Sequence, residues 1–155
     1  AGIVLDGDIF RGCQGFAGEL GRLILPCGKQ LEEAARPTAL PAEYSASSGK
    51  KVDFEEFMQL YLAGDTAAVE LVQNNARQRA YAAQVAANIF DPNAVVLGGD
   101  VLEFGDLHFN TFKEALINDL DARRFGHAPN VLRSHFGRRG VAVGGAQLIL
   151  DELVF

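Results

Sequence analysis

The chain has 155 residues, 48% of them hydrophobic, which suits one globular domain with a sizeable buried core. Its formal net charge of -6 excludes a nucleic-acid footprint of clustered Lys and Arg, so no direct contact with DNA is expected. No apolar run approaches the roughly 18 residues of a membrane helix and no signal pattern opens the chain, so a soluble, cytoplasmic protein without a membrane partner is expected.

Gly2 to Phe10 places Asp6-Gly7 between two short apolar runs, the pattern of a two-residue hairpin. A hairpin at the first residue, with no initiator Met and no lead-in, predicts a piece of a longer protein. Gly12 to Arg22 then packs four glycines around Glu19. Glycine permits positive φ and close backbone approach, and a carboxylate accepts hydrogen bonds from hydroxyls, so a polyhydroxylated ligand fits. A structural turn with a solvated Glu fits the same spacing equally well.

Leu20 to Leu25 reads as a third strand, broken by Pro26, Cys27 and Gly28. Leu31 to Ala35 reads as a short helix stopped by Pro37. Pro41 to Lys51, rich in Ser, reads as a loop. Asp53 caps a helix carrying Phe54, Phe57, Met58, Leu60 and Tyr61, which Gly64 ends. Asp65 or Thr66 caps a long alanine-rich helix stopped at Pro92. Ala94 to Leu97 is a short apolar strand followed by Gly98 and Gly99, where ligands gather in open α/β sheets. Phe109 to Leu120 reads as an amphipathic helix, Val131 to Phe136 as a strand and Ala142 to Leu153 as a closing helix. Cys13 and Cys27 read as reduced thiols of an intracellular protein. His108, His127 and His135 read as surface or helix-cap residues.

Three segments in order resemble the ROK proteins, a family of sugar kinases and sugar-responsive repressors. Gly12 to Gly21 is similar to that family's G-A-x-G-x-A-G-E-x-G-H. The helix entering Phe90-Asp91-Pro92 and Val95 to Gly99 matches a second segment, and Gly144-Gly145-Ala146 ahead of the last helix a third. The resemblance implies an α/β, actin-like (ribonuclease H-like) ATPase-type lobe with a mixed sheet, a hairpin start and flanking helices. Residues 1–155 would be a single domain, the C-terminal lobe of a two-lobed protein whose N-terminal lobe is absent.

The resemblance also distributes roles. Glu19 matches the family's sugar-binding Glu, and Cys27 to Glu32 resembles its C-x-C-G-x-x-G-C segment with the last Gly-Cys deleted, which puts Glu32 at the second sugar position and Glu33 as the fallback. Gly18 and Arg22 complete the substrate set. Gly98, Gly99, Gly144 and Gly145 fall on the nucleotide side, where Asp100 replaces a glycine and either bonds a ribose hydroxyl or repels phosphates. Arg138-Arg139 reads as a solvated pair. No residue matches the catalytic Asp, and Asp6 and Asp8 read as turn chemistry.

No zinc is expected, because Arg22 stands at the His position, Leu25 at the first Cys and nothing at the third. Arg22 either donates to a hydroxyl in place of the His or pairs with a carboxylate. The implied function is the sugar-binding lobe of a kinase acting on a hexose or amino sugar, with ATP and Mg²⁺ in the intact parent and no turnover by this piece alone. The alternative is the sugar-sensing effector lobe of a repressor. A third reading is an interaction lobe using Phe54, Phe57, Phe109 and Phe112, although core placement of these rings is favoured. A homodimer and contact with its own N-terminal lobe are expected.

Overall fold

The computed structural model describes residues 1–124 and 128–154. It is a mixed α/β structure with two separate two-stranded sheets. Strands β1 (Val4–Leu5) and β2 (Asp8–Ile9) pair antiparallel, with Leu5 opposite Asp8. Asp6 at φ 53° and Gly7 at φ 91° turn the chain between them, the two left-handed positions of a type I′ turn.

Leu20–Leu25 is not a strand. Leu20–Arg22 forms a 3-10 turn, and only Ile24 makes a bridge, to Gln30. The turn at Pro26 to Gly28 closes on itself: Leu25 N–H donates to Lys29 O at 2.8 Å and Gly28 N–H to Leu25 O at 2.8 Å. Helix α1 (Leu31–Ala34) follows, and Pro37 opens another 3-10 turn rather than merely stopping the helix.

The expected loop at Pro41 to Lys51 is mostly helix, α2 (Leu40–Ser48). Pro41 sits in the first turn, where a missing N–H costs nothing. Ser45 and Ser47 turn their hydroxyls back onto the carbonyls of Pro41 and Tyr44 at 2.7 and 3.0 Å. Burial of Leu40 and Tyr44 outweighs the weak propensity of serine. Gly49 at φ 71° ends the helix.

Helix α3 (Phe54–Leu62) starts at a reciprocal capping box: Asp53 Oδ1 accepts from Glu56 N–H, and Glu56 Oε2 from Asp53 N–H, both at 2.9 Å. Asp65 caps α4 (Thr66–Phe90), whose alanines let neighbouring elements approach closely, and Asp91 at φ 45° terminates it. Strand β3 (Ala94–Leu97) pairs parallel with β4 (Asn130–Arg133), in the register Val95 to Val131 and Leu97 to Arg133. Helix α5 (Gly105–Arg124) lies between them in sequence and packs along α4.

The core has three clusters. Ala76, Ala80, Leu97, Phe112, Leu116 and Val131 join α4, α5 and the parallel strands. Leu40, Tyr44, Phe57, Tyr61, Val72 and Phe104 join α2, α3 and α4. Leu25, Leu31, Ala34, Ala35 and Ala82 seat the turn and α1 on α4. Phe57, Phe109 and Phe112 are therefore core residues, and only Phe54 of that set is exposed, at 37%. Helix α6 (Gly140–Val154) spans the expected closing helix Ala142 to Leu153, so Gly144 and Gly145 lie inside it and not ahead of it as the family resemblance implied. Its Val141, Ile149 and Leu150 are exposed. Among the described residues no helix is long and apolar enough to cross a membrane.

Candidate functional site

The glycine-rich loop is shaped by positive φ at Gly12, Gly15 and Gly18. Gly18 is the position that needs it most. A Cβ there would lie 2.1 Å from the carbonyl oxygen of Ala1, so the loop is clamped against the start of the chain by backbone contact. Gly18 is thus a packing residue of the glycine-rich loop. Glu19 follows at the entry to the 3-10 turn Leu20–Arg22, exposed and making no side-chain capping bond.

That turn seats against α1, which carries Glu32. A Cβ at Gly21 would stand 3.4 Å from Glu32 Cβ and 3.5 Å from Glu32 Oε2, so the absence of a side chain there makes room for the carboxylate. Glu32 lies in the first turn of α1, 3.9 Å from Arg36, with both side chains more than half exposed. Gly21 and Glu32 sit on the wall of one cavity of about 1070 Å³ that also reaches Arg79 and the end of β3. Arg22 is exposed and forms no ion pair among the described residues. Glu33 is exposed and lies outside that wall.

Zinc does not fit this loop. Cys27 is an exposed thiol, and Leu25, at a ligand position of the zinc pattern, is 4% exposed within the third core cluster. Hydrophobic packing and the backbone bonds of the Pro26 to Gly28 turn hold the segment instead. Among the described residues no three His, Cys, Asp or Glu side chains gather as a metal site requires.

At the end of β3, Gly98 faces Ser134, whose Cβ lies 3.1 Å from where a glycine Cβ would be. Gly99, at φ 85°, opens onto free space and leads into a 3-10 turn, Asp100–Phe104. Nothing approaches the Cβ positions of Gly144 and Gly145 either. Gly98 is therefore packed on Ser134, whereas Gly99, Gly144 and Gly145 have open space beside them among the described residues. Asp100 has a protein partner: Arg138 Nε donates to Asp100 Oδ1 at 2.9 Å, and Arg138 Nη1 lies 2.7 Å from Glu103 Oε1. The Asp100 hydrogen bond, then the charges of Glu103 and Asp100, hold the guanidinium above its ordinary pKa. Arg138 is thus ion-paired across the glycine turn while its side chain stays solvated, at 66% exposed.

Sequence reasoning missed a buried polar cluster beside the cavity. His108 is fully buried, not at the surface, with Nε2 3.1 Å from Asn75 Oδ1. Arg79 Nε donates to that same oxygen at 3.1 Å. Asn75 Nδ2 donates to Ala35 O at 2.9 Å, and Arg79 Nη2 donates to the same carbonyl. Burial lowers the Arg79 pKa to about 10. The cluster ties α4 and α5 to the C-terminal end of α1, three residues beyond Glu32. Its signal was present, since positions 75 and 79 fall in the alanine stripe of α4. His135 stacks edge-on against Phe136 at 5.4 Å, and His127 lies outside the described residues.

A parallel strand pair ending in a glycine turn, with helices layered on it, and a glycine-rich loop carrying the exposed Glu19, which does not line the cavity, define a mixed α/β lobe. The sequence model of the ROK family matches residues 1–152, and the chain belongs to that family. A xylose repressor of Bacillus subtilis (strain 168) is 22% identical over 99% of this chain and 42% of its own length. An N-acetyl-D-glucosamine kinase of Pasteurella multocida (strain Pm70) is 25% identical over 97% of this chain and 55% of its own. A ROK hexokinase from Thermus thermophilus is similar with a TM-score of 0.75 at 32% identity, covering 89% of this chain and 49% of that one. A ROK family glucokinase from Streptomyces griseus, solved with glucose and AMPPNP, gives 0.72 at 23% identity over 95% and 55%. The chain spans about half the length of these relatives.

Proposed function

We propose that this chain is the sugar-binding, C-terminal lobe of a ROK-type sugar kinase with the actin-like fold, and that the intact protein phosphorylates a hexose or amino sugar. The observation that carries this reading is the seating of the glycine loop on α1, which sets Gly21 against the Glu32 carboxylate at a cavity rim. Ionised carboxylates only accept hydrogen bonds, so Glu19 and Glu32 orient sugar hydroxyls and hold the acceptor in place. Arg22 donates to a further hydroxyl. ATP with Mg²⁺ supplies the phosphoryl group, and its nucleoside lies against Gly98, Gly99 and the start of α6.

Phosphoryl transfer depends on positioning and charge stabilisation by groups on both sides of a cleft. The base that takes the hydroxyl proton comes from the N-terminal lobe, so this chain alone does not turn over. The 32% identity with a hexokinase supports the kinase over the repressor reading. The repressor reading draws on the xylose repressors, which align with 99% of the chain. There, sugar bound by the same two carboxylates shifts an equilibrium between two conformations without chemistry.

Calorimetric titration of the intact protein with glucose, N-acetylglucosamine and xylose, with ADP release followed in parallel, separates the two. Glu19→Gln and Glu32→Gln should each weaken sugar binding by about tenfold to a hundredfold, the worth of a charge-assisted hydrogen bond. Unchanged affinity in the double variant refutes the reading. Sugar binding without ADP release favours the repressor.

A further inference from the structure

Helix α1, which carries Glu32, is a single turn of four residues with no side-chain cap at its start. A helix that short does not hold itself in place, so the direction of the Glu32 carboxylate is set from outside α1. At one end Leu31 N–H donates to Leu23 O at 2.8 Å and ties α1 to the segment after the 3-10 turn Leu20–Arg22. At the other end the carbonyl of Ala35, where helices leave C=O groups unsatisfied, takes two donors from α4: Asn75 Nδ2 at 2.9 Å and Arg79 Nη2. Glu32 lies between these two anchors. Its own pair with Arg36, 3.9 Å long and exposed on both sides, is too loose to orient it.

The α4 anchor can point only one way. Arg79 Nε is always a donor, so the Asn75 atom 3.1 Å from it is the oxygen, and His108 Nε2, 3.1 Å from the same oxygen, donates as well. With both lone pairs of Oδ1 taken, the Asn75 amide N–H is left facing Ala35 O. Asn75 is 2% exposed and His108 0%, so water does not compete for these bonds. Arg79 is the member that reaches the cavity, whose wall it shares with Gly21, Glu32 and Ala35. Among the described residues no carboxylate pairs with Arg79, and burial lowers its pKa to about 10. A buried cation without a counter-charge stabilises a core no better than an apolar side chain of its volume, so stability does not account for Arg79. What its two bonds do is fix the end of α1, one turn from Glu32.

We propose that Arg79 and Asn75 are positioning residues for sugar binding: they lock α1 so that Glu32 holds one direction at the cavity rim, and His108 locks the Asn75 amide behind them. They act through Glu32 and not by contact with the sugar. A carboxylate already held in its bound direction gives up less rotational freedom on binding, so the anchor appears in affinity. The proposal rests on the reading of Glu32 as a sugar ligand.

Calorimetry on the full-length protein tests it, with whichever of glucose, N-acetylglucosamine and xylose the wild type binds most tightly. Arg79→Met, which keeps the apolar stem and loses both bonds, should weaken binding about tenfold. Asn75→Asp keeps an acceptor for Arg79 and His108 but faces Ala35 O without a donor, and should weaken binding about threefold to tenfold. Glu32→Ala removes the group being positioned, so Arg79→Met added to it should change affinity by less than about twofold. Two losses that multiply overturn the proposal, as does wild-type affinity in a folded Arg79→Met protein. Tyr61→Phe, destabilised away from the cavity, should bind like the wild type, and an equal loss there would overturn the proposal by reducing Arg79 to a general stability effect. Hydrogen exchange reads the anchor without sugar. The amides of Ala34 and Ala35, which close α1 onto Gln30 O and Leu31 O, should exchange about tenfold faster in Arg79→Met, with Leu116 of α5 unchanged. Unchanged rates at Ala34 and Ala35 also overturn it. If Arg79→Met does not fold, Asn75→Asp decides by the same two measurements. Wild-type affinity in Glu32→Ala, or no binding of any of the three sugars, refutes the sugar reading and this proposal with it, whereas a loss in Glu32→Ala without one in Arg79→Met refutes the positioning alone.

Discussion

Replacing His108 removes a specific acid sensitivity. The ring is fully buried, stacked on Phe104 at 5.7 Å, with Nε2 at Asn75 Oδ1 and no partner for Nδ1. A carbonyl oxygen only accepts, so the ring donates Nε2–H and Nδ1 stays unprotonated. A proton at Nδ1 would create a buried charge near the Arg79 guanidinium. Burial, and then Arg79, lower the pKa from 6.5 to about 4. Below pH 6.5 the unfolded chain takes up a proton that the folded protein refuses, so this group's contribution to stability is intact above 6.5, declines as pH falls, and is lost by about 4. At 1.36 kcal/mol for each pH unit across that window, the decline is about 3 kcal/mol. His108→Gln keeps a donor for Asn75 and abolishes the titration. Urea unfolding followed by circular dichroism from about pH 7.5 to about pH 4.5 measures both proteins. The wild type should lose about 3 kcal/mol more than the variant over this range. Parallel pH profiles would refute the argument, since carboxylate titration is common to both.

The turn at Pro26 to Gly28 depends on Leu25, 4% exposed, and Leu25→Ala should cost about 2–5 kcal/mol in urea unfolding. A chelator should leave the wild-type Tm unchanged, and a fall would reveal a metal that the packing argument denies. Asp53→Ala removes one half of the α3 capping box and should cost about 1 kcal/mol, with Glu56→Ala adding little on top because the two bonds are reciprocal. Tyr61→Phe deletes the 2.6 Å bond to Phe104 O and should cost about 1–2 kcal/mol, leaving a buried carbonyl without its donor. No change in its unfolding midpoint would mean that water replaces the hydroxyl.

Legibility in the sequence followed the strength of local physics. Asp53 and Glu56, the alanine repeat of α4 and the apolar run at Ala94 to Leu97 each name their element, because capping, periodicity and burial agree there. Helix α2 was hidden, since Ser45, Ser47 and Ser48 favour turns until Leu40 and Tyr44 find a core. Leu20 to Leu25 has strand propensity, but among the described residues only Ile24 finds a bridge partner, and Leu20–Arg22 closes as a 3-10 turn. Of the residues proposed to bind sugar, the family resemblance picked out Glu32, but nothing local disclosed that Gly21 makes its space. The apolar repeat from Ala142 to Leu153 marked α6 despite Gly144 and Gly145, and only the family resemblance set those glycines ahead of it. The tether of Asp100 to Arg138 joins positions 38 residues apart, a distance over which periodicity carries no information.

Helix α4 contributes to all three core clusters, through Val72, Ala76 and Ala80, and Ala82. At 25 residues it is a rod of about 38 Å, stiff on the scale of the whole molecule. Loosening at any one cluster is therefore transmitted along a single backbone to the others, and the domain should come apart as one cooperative unit. The same rod offers a mechanical route by which a displacement of Glu32's helix, anchored to Asn75 and Arg79, reaches the glycine turn after β3.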